Sequence, residues 1–448
     1  MTLPKILLGC IADDFTGATD LANNLARAGM RVTQVIGVPS ADLKLDVQLD
    51  AQLDAQVDAI VISLKSRTNP VAEAIKESLA ALHWLQSLGA QQIYFKYCST
   101  FDSLYEGSVR GNIGPVTEAL MAALNTDFTI ATPAFPENQR TVFKGHLFVG
   151  DVLLSESGMQ NHPLTPMRDA NLVRVLQAQC TRKVGLIDYK VIAQGTLGIS
   201  NRIAELRAGG VGIAVVDALN NQDLTILGGA LKGMPLVTAG SGVAIGLPQN
   251  FGLGQGASTT GNTPTQLPPP QGWQAIVSGS CSTATNRQVA DFVKQGHPAI
   301  AIDPIAMASA QATATNYTEK ILQWVGPRLA AGPVLIYSTA APENIKAVQS
   351  KLGVEKASLL VEETLAQIAQ GLLSLGVRQL VIAGGETSGA CVQALQIKQL
   401  QIGGQIDPGV PWCFSRPPSL SGQGLHLTLK SGNFGTDDFF SKAFGVLK

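Results

Sequence analysis

Short apolar runs alternate with amphipathic stretches along most of the chain. Such runs are typical of strands buried on both faces, and the amphipathic stretches are typical of helices that cover a sheet. In the first half, strands are predicted at residues 6–11, 59–64, 92–96, 128–131, 211–217 and 235–238. Helices are predicted between them at residues 18–29, 71–88 and 116–124. This alternation predicts an α/β fold with a mostly parallel sheet flanked by helices.

The alternation is interrupted by GLGQGASTTGNTPTQLPPPQG, residues 252–272, which is rich in Gly, Thr and Pro and carries no charge. This composition is typical of a linker. A second α/β series follows, with strands predicted at residues 275–278, 299–302, 334–337, 379–383 and 425–430 and a closing helix at 436–444. We therefore expect two domains, residues 1–250 and 273–448, joined by a linker at 251–272 and separated by a ligand cleft.

The balance of charges limits the classes of partner. The 448 residues include 32 Lys and Arg and 33 Asp and Glu, a formal net charge of −1. This argues against nucleic acid, because neutralising phosphates needs a basic face. No apolar run is long enough for a membrane span, and the six cysteines show no metal-binding spacing. We expect a cytoplasmic protein that acts on small molecules; a homo-oligomer is compatible with the sequence, which leaves the oligomeric state open.

Two adjacent aspartates, Asp13 and Asp14, follow the first predicted strand within IADDFTGAT. Parallel α/β sheets bind ligands at the carboxyl ends of their strands, and carboxylates there can accept a substrate proton or hold a metal. Capping of the next helix by Asp14 or Thr16 is the structural alternative. Because a cap needs only one such residue, the pair favours a catalytic role; no metal ligand is assigned.

Two more segments, SLKSR and KYCSTFD, follow predicted strands and are expected at the same edge of the sheet. Their candidate substrate-binding residues are Lys65, Arg67, Lys96, Ser99, Thr100 and Asp102. Cations beside hydroxyl donors suit a small carboxylate or phosphate, and an arginine can bind a carboxylate through two hydrogen bonds. A solvated loop charge is the alternative for any one of the cations. His146 is a weaker candidate for the same pocket.

Three small-residue turns in the second half, VSGSCS, AGGETSG and KSGNFG, each join a predicted strand to a helix. Glycine permits close approach of a ligand to the backbone, Ser and Thr supply hydroxyls, and a helix N-terminus favours anions. Each turn alone is explained by the geometry of any α/β fold. Together they predict a site for the phosphates of a nucleotide.

Two other functions account for parts of this pattern. The segment AGSGVAIG, residues 239–246, approximates a dinucleotide fingerprint and suggests a NAD-linked hydroxy-acid dehydrogenase, but its spacing is GxGxxxG and no acidic residue follows at the required distance. A sugar-acid binding or sensing protein would also use a pocket with cations. It leaves the aspartate pair and the three turns unexplained.

Eight ordered blocks resemble the four-carbon acid sugar kinase family over nearly the whole chain. They are IADDFTGATD, SLKSRTNP, KYCSTFDS, GNIGPVTEALM, VSGSCSTATNRQV, GGETSG, PGVPW and LKSGNFG. The resemblance implies a sugar-acid-binding N-terminal domain, a nucleotide-binding C-terminal domain, and ATP-dependent phosphorylation of the C4 hydroxyl of a 3-oxo-tetronate. Kinases of the reduced acids threonate and erythronate are the close alternatives. The near-repeat at residues 45–59 and the segment after Asp102 depart from the family pattern.

The resemblance also implies which residues bind each substrate. On the nucleotide side they are Ser278, Gly384, Gly385, Glu386, Thr387 and Gly432. On the acid-sugar side they are the aspartate pair and the cationic segments named above. With ATP held together with Mg²⁺, the substrate carboxylate would be bound by Arg67 or a lysine, and Asp14 or Asp13 would accept or orient the proton of the C4 hydroxyl.

Overall fold

The computed structural model describes residues 6–40, 43, 45, 57–103, 105–106, 109–162, 165–254, 267–304, 307, 314–339, 350 and 353–447. The chain forms two compact units, Met1–Pro264 and Thr265–Lys448, called unit 1 and unit 2 below. Most of the predicted linker, at residues 255–266, and most of the near-repeat, at 46–56, lie outside the described residues. The predicted cleft between two domains stays a prediction.

Unit 1 alternates strands and helices, as the apolar pattern predicts. Its strands are β1 (Leu8–Ala12), β2 (Val32–Ile36), β3 (Ala59–Ser63), β4 (Gln92–Lys96), β5 (Tyr105–Glu106), β6 (Val109–Arg110), β7 (Thr129–Thr132), β8 (Arg140–Phe143), β9 (His146–Val149), β10 (Val152–Leu153), β11 (Lys183–Ile187), β12 (Val211–Val216) and β13 (Leu236–Ala239). Its α-helices are α1 (Phe15–Arg27), α2 (Val71–Ser87), α3 (Ile113–Ala123), α4 (Leu172–Gln177), α5 (Tyr189–Ile192), α6 (Gly195–Ala208) and α7 (Asn221–Ala230). Short 3-10 turns lie at Pro136–Asn138, Leu154–Glu156, Gly158–Asn161, Gly242–Gly246 and Pro248–Phe251.

The main sheet of unit 1 is parallel, with the strand order β11-β12-β7-β13-β4-β1-β3-β2. Every residue of β1, β3 and β4 is buried, which explains why these strands are continuous apolar runs. Ala12 pairs with both Ser63 and Lys96, so these strands end at the same level. The loops that follow β1, β3 and β4 therefore start together at one edge of the sheet.

Unit 2 repeats this architecture with one antiparallel edge. Its strands are β14 (Trp273–Ser278), β15 (Ala299–Ala301), β16 (Val334–Tyr337), β17 (Val377–Ala383), β18 (Gln399–Asp407), β19 (Val410–Ser415) and β20 (Leu425–Lys430). Its α-helices are α8 (Thr283–Lys294), α9 (Ala314–Val325), α10 (Val354–Ser374), α11 (Gly385–Ala394) and α12 (Phe439–Val446), with 3-10 turns at Gly326–Ala331 and Pro418–Leu420. The order is β18-β19-β20-β17-β14-β16-β15, parallel from β20 to β15 and antiparallel at β18–β19 and β19–β20.

The predicted fold class, α/β with mostly parallel sheets and flanking helices, is confirmed in both units. The sequence did not predict β2, β5, β6, β8, β9, β10, β11, β18 or β19. The predicted helix at 18–29 begins earlier, at Phe15, because Asp14 caps it, and the predicted closing helix at 436–444 begins later, at Phe439. Among the described residues, no helix combines the length and apolar character needed to cross a bilayer.

Candidate functional site

Asp14 connects the cap of helix α1 to the charged side chains at the edge of the unit 1 sheet. Its Oδ1 accepts from the Gly17 N–H at 2.9 Å, and its Oδ2 accepts from the Thr16 hydroxyl at 2.9 Å. The same carboxylate lies 2.8 Å from Arg67 Nη2 and 3.7 Å from Lys96 Nζ. Asp14 therefore caps the helix and also belongs to a charge cluster, and the catalytic role of the aspartate pair stays a prediction.

Arg67 is bound by carboxylates rather than open to a ligand. Its Nε and Nη2 each donate to a different oxygen of Asp13 at 2.9 Å, and its Nη1 lies 3.8 Å from Asp102 Oδ2. The Asp13 carbonyl in turn accepts from the backbone N–H groups of Ser66 and Arg67, at 3.0 and 3.2 Å. These contacts tie the loop after β3 to the end of β1 and fix the guanidinium between three carboxylates.

Burial and neighbouring charges shift the pKa values of the two aspartates in opposite directions. Burial raises the pKa of Asp13, although Arg67 opposes the shift. Burial would also raise the pKa of Asp14, but the nearby Arg67 and Lys96 cations outweigh it and hold that pKa below its ordinary value. Asp14 is therefore ionised at neutral pH and only a weak base.

The segment after β4 adds hydroxyl groups to the cluster. Ser99, Thr100 and Asp102 are all buried, and Thr100 donates to Asp102 Oδ1 at 2.7 Å. Phe101 between them has a φ of 52°, which turns the chain sharply after the strand. Lys65, by contrast, is exposed. The structure thus brings together Asp13, Asp14, Arg67, Lys96 and the turn after it, with Lys65 at the surface beside them in sequence.

Sequence reasoning missed buried polar residues beneath this cluster. Asp20 on helix α1 is buried, and burial raises its pKa to about 7, opposed by the charge of Lys96. Asn112 donates to the carbonyls of Ser66 and Arg67 at 2.7 and 3.1 Å and so supports the loop after β3. Polar residues at helical spacing inside TDLANN were the available signal for Asp20.

His146 lies on the small antiparallel sheet β8–β10 rather than on one of the parallel strands. Its Nδ1 is 2.9 Å from the Lys144 carbonyl, and its Nε2 is 3.3 Å from Asn171 Nδ2. Both ring nitrogens thus have partners within this region. These contacts are explained by the local structure of the hairpin.

The glycines of residues 239–246 are explained by packing. A Cβ on Gly246 would overlap the backbone of Leu224 and approach Gly228 Cα within 3.0 Å, because the 3-10 turn lies directly on helix α7. A Cβ on Gly242 would overlap the Ala134 carbonyl. These close approaches account for the fingerprint-like spacing without a dinucleotide.

In unit 2, three loops start together at the end of the parallel sheet. Ser278, the last residue of β14, pairs with Ala383 of β17, and Ala383 pairs with Lys430 of β20. The backbone N–H groups of Gly279 and Ser280 donate to the Ala383 carbonyl at 3.0 and 3.2 Å. The turns VSGSCS, AGGETSG and KSGNFG therefore adjoin one another, as the sequence predicts for a shared site.

Close packing of these loops requires their small residues. A Cβ on Gly279 would overlap the Thr387 hydroxyl, and one on Gly432 would overlap Ser280 Oγ. Gly384 has a φ of 122°, a conformation open to glycine, and is followed directly by helix α11. Two helix N-termini, those of α8 and α11, begin at these loops and favour a bound anion.

The predicted nucleotide-side residues differ in exposure. Ser278 is buried and shares a 2.8 Å hydrogen bond with Thr339, and Thr387 is also buried. Glu386 is exposed in the first turn of α11. Among the described residues, no group of three or more His, Cys, Asp or Glu side chains converges in a way that could hold a metal ion.

Comparisons with known proteins match both units. A family described as a sugar-binding N-terminal domain matches residues 8–247, and one described as a nucleotide-binding C-terminal domain matches residues 275–440. A 3-oxo-tetronate kinase from Pseudomonas fluorescens is 55% identical over 99% of this chain and 98% of its own length. One from Pseudomonas savastanoi is 56% identical over 98% of this chain and 97% of its own length.

Solved structures match over similar lengths. A Salmonella typhimurium LT2 protein has a TM-score of 0.81 and 42% identity, covering 98% of this chain and 99% of that one. A Haemophilus influenzae protein has a TM-score of 0.72 and 44% identity, covering 98% and 100%. The chain therefore belongs to the four-carbon acid sugar kinase family, in which a sugar-binding N-terminal domain precedes a nucleotide-binding C-terminal domain.

Proposed function

We propose that the chain is an ATP-dependent kinase that transfers the γ-phosphoryl group of ATP to the C4 hydroxyl of a 3-oxo-tetronate. The observation that carries this proposal is the identity of 53–56% with 3-oxo-tetronate kinases over nearly the full chain. The charge cluster of unit 1 and the small-residue loops of unit 2 are consistent with the two chemical environments that this reaction needs.

In the proposed reaction the acid sugar binds at the edge of the unit 1 sheet. Of the two ways considered for holding its carboxylate, the lysine is favoured over Arg67. The Nε and Nη2 groups of Arg67 already donate to Asp13, whereas Lys96 approaches a carboxylate only at 3.7 Å. The buried hydroxyls of Ser99 and Thr100 would complete the binding of the sugar, with Lys65 at the exposed rim.

Asp14 is the residue proposed to orient the C4 hydroxyl. The Asp14 side chain is 19% exposed against 8% for Asp13, whose two oxygens both accept from Arg67, so Asp14 is the more accessible carboxylate. The lowered pKa of Asp14 makes it a weak base, but phosphoryl transfer requires mainly positioning, and the hydroxyl proton can pass late in the reaction to Asp14 or to an oxygen of the transferred phosphoryl group. Asp14 would accept a hydrogen bond from the hydroxyl and aim its oxygen at the γ-phosphorus.

The nucleotide is proposed to bind in unit 2 with its phosphates at the loops that contain Ser278, residues 384–387 and Gly432. Mg²⁺ fits the donors found there, because this ion takes one or two carboxylates and otherwise phosphate oxygens and waters. Glu386 is the exposed carboxylate that would hold it. Held there, Mg²⁺ would neutralise part of the charge on the phosphates.

A coupled ADP-release assay over a panel of four-carbon acids tests the proposal. The panel contains each stereoisomer of the 3-oxo acid and of the reduced acids threonate and erythronate. We expect the highest kcat/KM with a 3-oxo-tetronate and a product phosphorylated at C4. Preference for a reduced acid would move the chain to another activity of the same family, and acid binding without ADP release would contradict a kinase.

An Asp14→Asn variant tests the residue assignment. We expect kcat to fall by about 10²-fold, the effect of misplacing the reacting hydroxyl, with ATP binding unchanged. Thr16→Val is the matched control. It removes the hydrogen bond that the Thr16 hydroxyl donates to Asp14 but keeps the Asp14 carboxylate. Full turnover by Asp14→Asn would remove Asp14 from this role.

A further inference from the structure

Lys430 is a fully buried lysine at the end of strand β20, directly before the loop that contains Gly432. A lysine at this place in a nucleotide site would ordinarily be assigned to a phosphate. Its ammonium instead points into the protein, where burial lowers its pKa to about 7 against the opposing charge of Asp407. The position of the side chain therefore calls for another explanation.

The Lys430 ammonium is surrounded by oxygen atoms of the loop that follows it. It donates to the carbonyls of Ser431, Gly432 and Phe434 at 3.0, 3.2 and 3.0 Å, and to the Thr285 hydroxyl at 3.2 Å. The Phe439 ring lies 5.8 Å away on another side. The ammonium thus occupies the place of a cation coordinated by backbone oxygens.

A second buried side chain holds the same loop. Gln288 on helix α8 donates through Nε2 to the carbonyls of Phe434, Gly435 and Thr436 at 3.0 to 3.1 Å. The Ser282 and Thr285 hydroxyls also donate to the Gly432 carbonyl, at 2.5 and 2.8 Å. Lys430 is the one of these donors that reaches the carbonyls of Ser431, Gly432 and Phe434 together.

The inward carbonyls determine where the amide groups point. In a trans peptide the N–H points opposite to the preceding C=O, and the chain contains no cis peptide among the described residues. The N–H groups of Gly432, Asn433 and Gly435 therefore face away from the ammonium and from Gln288. N–H groups that face away from these donors are available to bind an anion, and the loop adjoins the turns that precede α8 and α11.

We propose that Lys430 is a positioning residue for the nucleotide phosphates: its Nζ donates to the carbonyls of Ser431, Gly432 and Phe434 and so orders residues 431–435, whose amides bind phosphate oxygens. Lys430 does not contact the nucleotide. The loop is preorganised before the ligand arrives, which lowers the entropic cost of binding. This inference rests on the proposed function only in taking this loop as the phosphate site.

The test compares three variants of the full chain, Lys430→Met, Gln288→Met and the exposed control Lys294→Met on the same unit. Binding of ADP and of adenosine is measured by calorimetry, and folding is checked by thermal unfolding. We expect Lys430→Met to weaken ADP binding by about tenfold to a hundredfold, the effect of losing a buried charged hydrogen-bond donor, and to leave adenosine binding unchanged. Gln288→Met should act in the same direction, and Lys294→Met should match the parent protein.

Amide hydrogen exchange of the nucleotide-free proteins separates positioning from direct contact. A positioning role requires faster exchange at residues 431–435 in Lys430→Met before any ligand is added. Normal exchange together with lost ADP affinity would overturn the proposal in favour of a direct phosphate contact. A folded Lys430→Met or Gln288→Met variant with the parent's ADP affinity would also overturn it. Failure of the parent protein to bind ADP would contradict the proposed function, while the exchange data would still test the loop.

Discussion

Gly17, in the first turn of helix α1, leaves the space in which Asp14 and Lys96 approach each other. A Cβ at this position would overlap both the Lys96 ammonium and Asp14 Oδ1. Lys96 is buried, so its ammonium cannot move into solvent without reorganising the strand end. The absence of a side chain at one helix position is thus a condition for the charge cluster.

The Gly17→Ala variant tests this requirement. Alanine favours a helix over glycine by about 1 kcal/mol, so the helix itself should tolerate the change. Displacement of the ammonium should nevertheless lower kcat/KM by about 10²-fold, the effect of misplacing a binding group by about 1 Å. Gly229→Ala on helix α7 is the control, since its Cβ would meet its nearest atom at 3.4 Å. Parent-like activity in Gly17→Ala would contradict the requirement.

Asp20 should make stability depend on pH. Because its pKa in the folded protein is about 7 against an ordinary value of 3.8, the folded state retains a proton that the unfolded state releases between these values. Stability from this residue is therefore present at low pH and lost as the pH rises from about 4 to 7. The Asp20→Asn variant should not show this decrease in stability. At pH 8 its free energy of unfolding should exceed that of the parent by on the order of 3 kcal/mol.

Urea unfolding of the parent and the Asp20→Asn variant between pH 4.5 and 8 measures this difference. The two proteins should have similar free energies of unfolding at the acidic end and diverge as the pH rises. Asn23→Asp on the same helix is a useful opposite control, because it adds a second buried carboxyl and should steepen the loss. Parallel curves for parent and Asp20→Asn would contradict a raised pKa.

Individual site residues were predictable to different degrees. The grouping of Asp13, Asp14, Arg67 and Lys96 follows from their places after parallel strands, which the apolar runs reveal. The bidentate pairing of Arg67 with Asp13 could not be predicted, since it depends on side-chain directions that sequence spacing does not fix. The direction of the Lys430 side chain could not be predicted for the same reason.

At the scale of elements, the hairpin of β8 and β9 depends on one carboxylate outside it. Lys144 and Gly145 form its turn with φ values of 51° and 72°. Asp217, after β12, accepts from their N–H groups at 2.7 and 2.8 Å and from the Tyr189 N–H at 2.9 Å. A positive φ at a lysine is unfavourable, and these hydrogen bonds offset it.

Asp217→Asn should therefore destabilise unit 1. Asparagine keeps one acceptor oxygen and turns an amide group toward backbone donors, which should cost about 1–3 kcal/mol. Asp188→Asn is the matched control, because Asp188 caps helix α5 and asparagine caps equally well. Urea unfolding measures both variants, and exchange at the amides of Lys144, Gly145 and Tyr189 locates the effect. Equal stability of the two variants would show that Asp217 is not needed by the turn.

Strands were predicted well where every position is buried, because such strands are continuous apolar runs in the sequence. Strand β4 was predicted with its observed bounds because it is buried throughout. Strand β2 was missed because Gln34 interrupts its apolar pattern; this side chain is buried and accepts from Thr19 at 2.9 Å. Strands β18 and β19 were missed because Gly403 and Gly404 lie within the first, Pro411 lies within the second, and their pairing is irregular.

At the scale of the whole molecule, chemistry divides between the two units. The charge cluster, which contains three carboxylates and two cations, lies in unit 1. The small-residue loops lie in unit 2. A phosphoryl transfer needs both a bound alcohol and a bound triphosphate. Neither unit by itself offers both environments among its described residues.

Separate binding of each ligand should therefore protect amides of one unit only. Ligand at about 100-fold above its Kd stabilises the structure that binds it by about 2.7 kcal/mol, which is enough to slow hydrogen exchange visibly. ADP alone should slow amide exchange at residues 279–282, 384–387 and 431–435. A 3-oxo-tetronate alone should slow amide exchange at residues 13–17 and 97–103. A neutral four-carbon ketose is the control for the acid, because it lacks the carboxylate that the lysines would bind. Protection of the unit 1 residues by ADP would reverse the assignment, since the Asp14 cluster would then face phosphates despite its excess of carboxylates.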